Sequence, residues 1–420
     1  MSARGGATRW LPLLVVVIAA TAGFFWFGLF EQPDAHQIPP SAFEVRVRLS
    51  SLEDARPTKL VLRSEGGFEL HLGDDSSSPG ETLEGAALEL RASVIDGATP
   101  TLAVLLPDAR RAPRLHLRGR GESGEIRLGE RRYAGALTID IAGDYDPSTT
   151  GDTTYLRVTN TLGVETYLAG VIGPEISPRS AMAALEAQAI AARSYAAQRM
   201  AGTGLLFDTA SSQVYRGLEA LDRRVIEALR RTAGKILSMD GAKPLATFYH
   251  STCGGHTAKG AEVFRGEADA IPGVASPDCE GTARYRWSYA LSKEQSGKLV
   301  EYFGLGSRLI GLQAEKRDSA SGRWVLIRVT GDVAERPIGW REWKIACGRT
   351  GAPVPNDFLW HDVSLVDGAL AVNGGGFGHG VGMCQMCARR MGDRGASAQE
   401  ILARFYPGAQ IHKLSQESAR

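Results

Sequence analysis

The 420 residues carry 48 Lys plus Arg against 47 Asp plus Glu, a formal net charge of +1. That balance offers no overall electrostatic footprint for a nucleic-acid partner. The length exceeds what one ordinary core organises, so two domains plus an anchor are expected.

Residues 10–30, WLPLLVVVIAATAGFFWFGLF, contain no charge. In helical form such a run reaches about 30 Å, the thickness of a bilayer's hydrocarbon, so it predicts a membrane helix or a signal sequence. Arg4 and Arg9 precede it and Glu31 follows, which places residues 1–9 in the cytoplasm and everything beyond outside. The run exceeds a signal-peptide core of ~7–15 residues and no clean A-x-A site follows, so an uncleaved single-pass anchor is expected. Residues 31–42 are a Pro-rich tether. From 43 to 145, FEVRVRLSSL, KLVLRS, FELHL, LELRAS, RLHLRG, EIRLG and ALTIDIAG alternate apolar and polar residues between Gly, Pro and Asp signals. This predicts a β-rich accessory domain with a supporting role, since a carbohydrate-binding face needs exposed aromatics and the region has few. Helices and strands mix over 146–412, which makes the class α+β, and 413–420 is a tail.

Residues 165–195 read ETYLAGVIGPEISPRSAMAALEAQAIAARSY. Ser177 as cap, Pro178 in the first turn, an Ala-rich body and Gly202 or Gly204 beyond its end predict a helix. Glu175 then lies on the loop entering it. Met182, Leu185, Ala189, Ala192 and Ala196 form a narrow apolar stripe that admits a close neighbour. A helix N-terminus favours the anion, so service as a general acid requires desolvation by Pro174, Ile176 and Tyr167. RVIEALRRTAGKIL (224–237) predicts a helix ended near Gly234 and then a strand. In GFGHGVGM, Gly376, Gly378, Gly380 and Gly382 alternate with bulkier residues, so an extended backbone presents one bare face on which a flat ligand or a strand could lie, with His379 able to donate to it. Ser397 and Glu400 predict a capping box for the last helix.

The cysteines are Cys253, Cys279, Cys347, Cys384 and Cys387. His250, Cys253 and His256 at three-residue steps, with Cys279, suit tetrahedral zinc; a Cys253–Cys279 disulfide and free buried thiols are the alternatives. Cys384 and Cys387 form a C-x-x-C without a βαβ context, which argues against a redox role.

ETYLAGVIGPE, ALEAQAIAARSYA (with Gln188, Ala191, Ala192, Arg193 and Tyr195), SSQVYRG, TAGKIL, YHSTCGGHT, GFGHGVGMCQ and EILARFYPG occur in this order. Over roughly 150–412 the chain resembles the stage II sporulation protein D family, which includes amidase enhancers of bacterial cell walls. The resemblance implies an extracytoplasmic protein anchored in the cytoplasmic membrane, with its catalytic domain in the periplasm or on the cell-wall side. It implies a lytic transglycosylase cutting peptidoglycan glycan strands without a catalytic cofactor. ETYLAGVIGPE would be the entry strand and acid: Glu175 protonates the glycosidic oxygen, then takes the proton of the muramic acid 6-hydroxyl, leaving a 1,6-anhydro sugar. Arg193 aligns with a further functional position, either holding a structural carboxylate or binding the lactyl group, and Glu165 matches a family acid. Gln213, Tyr215, His379 and Gln385 are the other substrate-facing candidates. Some members hold a metal near residue 250. The alternative function is a non-catalytic peptidoglycan-binding enhancer of a cell-wall amidase. The partners implied are glycan strands, the membrane through the N-terminal helix, and such an amidase.

Overall fold

The computed structural model describes residues 35–73, 80–95, 101–143, 154–241, 243–264, 266 and 268–414. The chain opens with β1 (Glu44–Arg48), one helical turn α1 (Ser50–Glu53), β2 (Lys59–Arg63), β3 (Phe68–Leu72), β4 (Glu81–Leu83), β5 (Ala87–Ile95) and β6 (Thr101–Leu105). It continues through β7 (Arg111–Ala112), β8 (Arg114–Gly119), β9 (Ile126–Leu128), β10 (Arg131–Tyr133), β11 (Ala136–Ala142) and β12 (Tyr155–Gly163). With β13 (Leu206–Phe207) these form two sheets, ordered β13-β1-β12-β11-β8-β3-β4 and β10-β9-β2-β5-β6-β7. Alternation buries Val45, Val47, Leu115, Leu117, Ile139 and Val158 on one face of the first sheet and leaves the other polar. Both β12 and β13 come from beyond residue 145, so the sheet is completed by strands of the following region, and one core runs from Val45 to Tyr406.

Next come α2 (Val164–Glu175) and α3 (Met182–Ala201). Residues 165–175, expected as a strand and loop, are helical. The Ser41 hydroxyl accepts from the Glu165 backbone N–H at 3.0 Å, satisfying one otherwise unpaired amide of the first turn. Ser177 does not cap α3, whose N-cap is Ala181; Ser177 instead closes a separate turn through Ser180 N–H to its carbonyl, 3.0 Å. The small-residue stripe of α3 packs at the centre, with Leu185, Ala189, Ala192 and Ala196 fully buried and Met182 partly so.

Asp222 caps α4 (Arg223–Arg231), and Gly234 at φ +70° turns the chain into β14 (Lys235–Ser238). Short segments β15 (Tyr249–His250), β16 (Gly255–His256), α5 (Gly260–Val263) and β17 (Ala275–Ser276) lead to an insertion with its own core. That insertion comprises β18 (Arg286–Leu291), α6 (Lys293–Tyr302), β19 (Leu309–Arg317), β20 (Trp324–Gly331), β21 (Glu335–Gly339), α7 (Trp340–Thr350), β22 (Leu359–Val366) and β23 (Ala369–Gly375). Trp324, Trp343 and Trp360 fill its interior. The chain returns through β24 (Met383–Cys384), α8 (Gln385–Asp393), α9 (Ala398–Phe405) and β25 (Gln410–Lys413), and Ser397 with Glu400 forms the expected capping box.

The class is mixed α+β, but the expected membrane helix is corrected: among the described residues no helix is long and apolar enough to cross a membrane. Residues 10–30 lie outside the described residues.

Candidate active site

Glu175 is the last residue of α2, followed by extended Ile176. It therefore meets the negative end of a helix rather than the positive end of α3, and that end disfavours the carboxylate. The side chain is half-buried, and its Oε1 accepts from Val214 N–H at 2.7 Å. Burial raises its pKa above the ordinary 4.5; hydrogen bonds from Val214 and Gln385 oppose the rise without cancelling it. Among the described residues it has no ion pair, and no second carboxylate is paired with it.

The groups around Glu175 are held by a buried network. Tyr167 OH donates to Gln213 Oε1 at 3.1 Å, and Gln213 Nε2 donates to Tyr249 OH at 2.9 Å and Ala192 O at 3.3 Å. Gln385 Nε2 donates to Gln188 Oε1 at 3.4 Å from α8, next to Glu175. Gln213 and Gln385 thus position the acid and its neighbours, and both are buried.

A cavity of ≈ 360 Å³ opens on the far side of Tyr249, walled by Tyr195, Phe248, Phe264, Trp340, Ser211 and His379 with the cations Arg199, Arg341 and Lys344. Glu175 is not in its wall; Tyr249 is, and its hydroxyl accepts from Gln213, the residue next to Val214 that bonds Glu175. Arg341 lies over the Phe264 ring at 4.9 Å and Lys344 over Trp340 at 5.3 Å. Desolvation lowers the Lys344 pKa. His379 accepts from Val381 N–H at Nδ1, 3.1 Å, and its pKa is held well below the usual value, first by burial and then by the nearby His250. It is therefore a neutral ring on the cavity wall.

The glycine run is not an extended strand. Gly376, Gly378, Gly380 and Gly382 all have positive φ, between +71° and +115°. Arg323, in a buried bidentate pair with Asp357 (2.9 Å for each bond), occupies the space a Cβ on Gly380 would need, 2.4 Å from its Nε. The bare positions admit this ion pair and the loop's own folding rather than a flat ligand.

Two substrate-binding assignments are corrected. Arg193 is fully buried and makes a bidentate bridge to Glu165, 2.7 Å on each arm, with a further bond to Lys235 O at 2.9 Å. It locks α2 to α3 and has no exposed surface. Tyr215 is likewise core: its hydroxyl donates to Asn160 Oδ1 at 3.0 Å and its ring packs 5.2 Å from Tyr167. Asp208, fully buried, accepts from Ser50 Oγ and Ser51 N–H, while Asp278 pairs with Arg394.

The metal-ligand set also changes. Pairing of β15 with β24 sets His250 beside Cys384, which carries Cys253 to the C-x-x-C at the start of α8. Cys253, Cys279, Cys384 and Cys387 are buried with their sulfurs all within 4.8 Å, and Cys253 Sγ lies 3.4 Å from Cys279 Sγ and 3.7 Å from Cys387 Sγ. Tetrahedral coordination with metal–sulfur bonds of about 2.3 Å requires sulfur separations of about 3.8 Å, close to these values. Backbone N–H groups of Cys253 and Cys387 donate to Cys384 Sγ, and that of Gly255 to Cys253 Sγ, the second-layer bonds that thiolate ligands use. All five cysteines are unbridged. His250 Nδ1 faces Val381 O and His256 Nδ1 faces Thr257 O; the four-sulfur group includes neither imidazole, and His250 stands beside it as a hydrogen-bond neighbour of Cys253. Cys384 and Cys387 are the residues that spacing in the 250 segment could not reveal; their C-x-x-C was the available signal.

A model of the stage II sporulation protein family matches residues 152–239, the segment holding α2, α3 and Gln213. An uncharacterized protein of Brachyspira hyodysenteriae is 34% identical over 262 residues, covering 60% of this chain and 68% of that protein. The stage II sporulation protein D of Bacillus amyloliquefaciens is 26% identical over 269 residues, 59% of this chain and 74% of the relative. The amidase enhancer of Bacillus subtilis is 25% identical over 297 residues, 58% of this chain and 40% of its own length. With the segment around Glu175 matched by the family model and a relative 34% identical over 68% of its length, the chain belongs to the stage II sporulation protein D family.

Proposed function

We propose that the chain is a lytic transglycosylase of peptidoglycan, acting outside the cytoplasm where that polymer lies, with Glu175 as its single acid and base. The observation that carries this reading is the state of Glu175: a half-buried carboxyl at a helix C-terminus, raised by desolvation and lacking a cation. Two-carboxylate glycosidases need a second acid to activate water or attack the sugar. An intramolecular attack needs only one. Protonated Glu175 gives its proton to the glycosidic oxygen as the C1–O bond breaks. The resulting carboxylate takes the proton of the muramic acid 6-hydroxyl as that oxygen bonds C1, which closes the 1,6-anhydro ring and restores the acid. The cavity beyond Tyr249 offers Arg341 and Lys344 between aromatic walls, a complement for a sugar acid such as the lactyl carboxylate.

Digestion of purified glycan strands followed by mass spectrometry tests this. Wild type is expected to generate anhydro ends and Glu175→Gln none; equal anhydro yield from both would remove the reading. The likeness to an amidase enhancer favours a second reading, stimulation of a separate amidase. In that case Glu175→Gln stimulates the amidase as well as wild type does and neither makes anhydro ends.

We also propose that Cys253, Cys279, Cys384 and Cys387 hold a structural zinc ion, which would tie the 253 loop to the N-terminus of α8 and so fix Gln385 beside Glu175. Metal bound only by the folded state adds directly to folding stability. One zinc per chain by elemental analysis is expected, and chelation should lower Tm by roughly 10 °C or more, given a loss of several kcal/mol in a chain of this size. Metal-free protein with an unchanged Tm would contradict it.

A further inference from the structure

The β-rich region, expected as a support because it lacks the aromatics of a stacking carbohydrate face, carries a polar, basic feature through which a glycan could be held by charge and hydroxyl contacts instead. On the solvent face of the first sheet, strand pairing lines up Arg48, Thr159, Thr138, His116 and His71 across five strands. The adjoining row starts at Arg46, passes Thr161 and Ala136, and reaches Arg118. Small residues thus form a floor, and guanidinium groups stand on both rims, on β1 and on β8. Three strand steps of about 4.8 Å separate those rims by about 14 Å. The trough between them has a volume of ≈ 380 Å³, and no Phe, Tyr or Trp lines it.

A charged sheet face is most often only solvated. Here four arginines, Arg46, Arg48, Arg114 and Arg118, line the trough against two acids, Glu44 and Asp140, and Glu69 stands opposite Arg118 on β3. Arg48 reaches Glu53 at 3.4 Å, and Asp140 is shared by Arg157 at 2.8 Å and Arg114 at 3.7 Å. Arg46 and Arg118, on opposite rims, have no ion pair among the described residues. The floor is ordered by Arg48 Nε donating to Thr159 Oγ1 and by His116 Nδ1 bonded to Thr138 Oγ1, both at 3.0 Å. Threonine hydroxyls between two cationic rims, with His116 and His71 at the β8 side, match a ligand with many hydroxyl groups and spaced negative charges. Single-stranded nucleic acid is held largely by stacking on aromatic side chains, and the trough has no Phe, Tyr or Trp platform for this.

We infer that this trough is a second binding site, for an extended anionic polysaccharide, separate from the Glu175 site. The two are joined by one stretch of chain. Leu205 belongs to the trough wall, β13 is the edge strand beside β1, and the same segment runs on to Val214, whose N–H holds Glu175. A strand seated on the sheet would therefore be presented along the flank of the acid. The inference does not depend on Glu175 chemistry.

The test uses the full chain in a Glu175→Gln background, so that no strand can be cut, and glycan strands freed of stem peptides with their lactyl carboxylates intact. Arg46→Ala/Arg118→Ala is expected to weaken binding roughly tenfold or more and to flatten its salt dependence, because exposed charge contacts are screened by ions. Arg46→Lys/Arg118→Lys should recover most of the affinity, and the same strands with carboxylates amidated should bind the parent chain weakly. Both arginines are solvent-facing on β1 and β8, and an unchanged Tm verifies folding. Unchanged affinity in the Ala variant, or equal binding of the amidated strands, would overturn the inference. Tighter binding of oligo-dT than of glycan strands would assign the trough to nucleic acid instead.

Discussion

The two ends of α2 carry the same side chain in opposite circumstances. Glu165, in the first turn, is fully buried against Arg193, and both its oxygens are used at 2.7 Å. Glu175, in the last turn, is half-buried, receives one backbone N–H, and has no ion pair among the described residues. Burial alone does not make a proton donor; burial without a compensating charge does. The first acid fastens α2 to α3 and the strand start at Lys235, while the second is left available at the end of the element so fastened.

Exchanging each acid for its amide separates the two roles. Glu175→Gln should lower turnover on glycan strands by about 10²–10⁴, the usual worth of a positioned acid, with the fold intact by circular dichroism. Glu165→Gln should do the reverse, leaving Arg193 buried and unpaired at a cost of about 3–5 kcal/mol, read as a lower denaturation midpoint, while the folded fraction keeps its activity. A Glu165→Gln protein as stable as wild type would break the contrast. The smallest effect lies in the pH dependence of Glu175 itself. Between the ordinary value of 4.5 and its raised native value, the native chain holds more protons than the unfolded one, so this group's contribution to stability falls as pH rises through that window. Glu175→Gln should therefore melt slightly above wild type at neutral pH, and the difference should vanish below pH 4.5. Turnover should fall over the same rise in pH, as the acid form is lost.

Local signals were readable. Alternation marked the strands of 43–145, the Ala-rich run marked α3, and Ser397 with Glu400 marked the start of α9. Glu175 could be singled out, but its setting could not. Gly163, Gly170, Gly173 and Pro174 disguise α2 as strand and loop, so the dipole acting on the acid was assigned with the wrong sign. What depends on distant pairing was hidden. Arg193 finds its partner 28 residues away, and the sulfurs of Cys253 and Cys387 meet across 134 residues because β15 pairs with β24. The glycine run was read by alternation, whereas its backbone is set by the bulk of Arg323 pressed against Gly380. The basic trough was missed because its rows cross five strands and leave each strand looking like an ordinary amphipathic one.

The proposed catalysis depends on Glu175 holding its proton above the range of an ordinary carboxyl. A carbon-13 titration of its side-chain carboxyl, assigned by comparison with Glu175→Gln, reads this directly. A midpoint clearly above 4.5 is expected, moving higher when glycan excludes water from the site. A midpoint at or below 4.5 in both free and glycan-bound protein would contradict it.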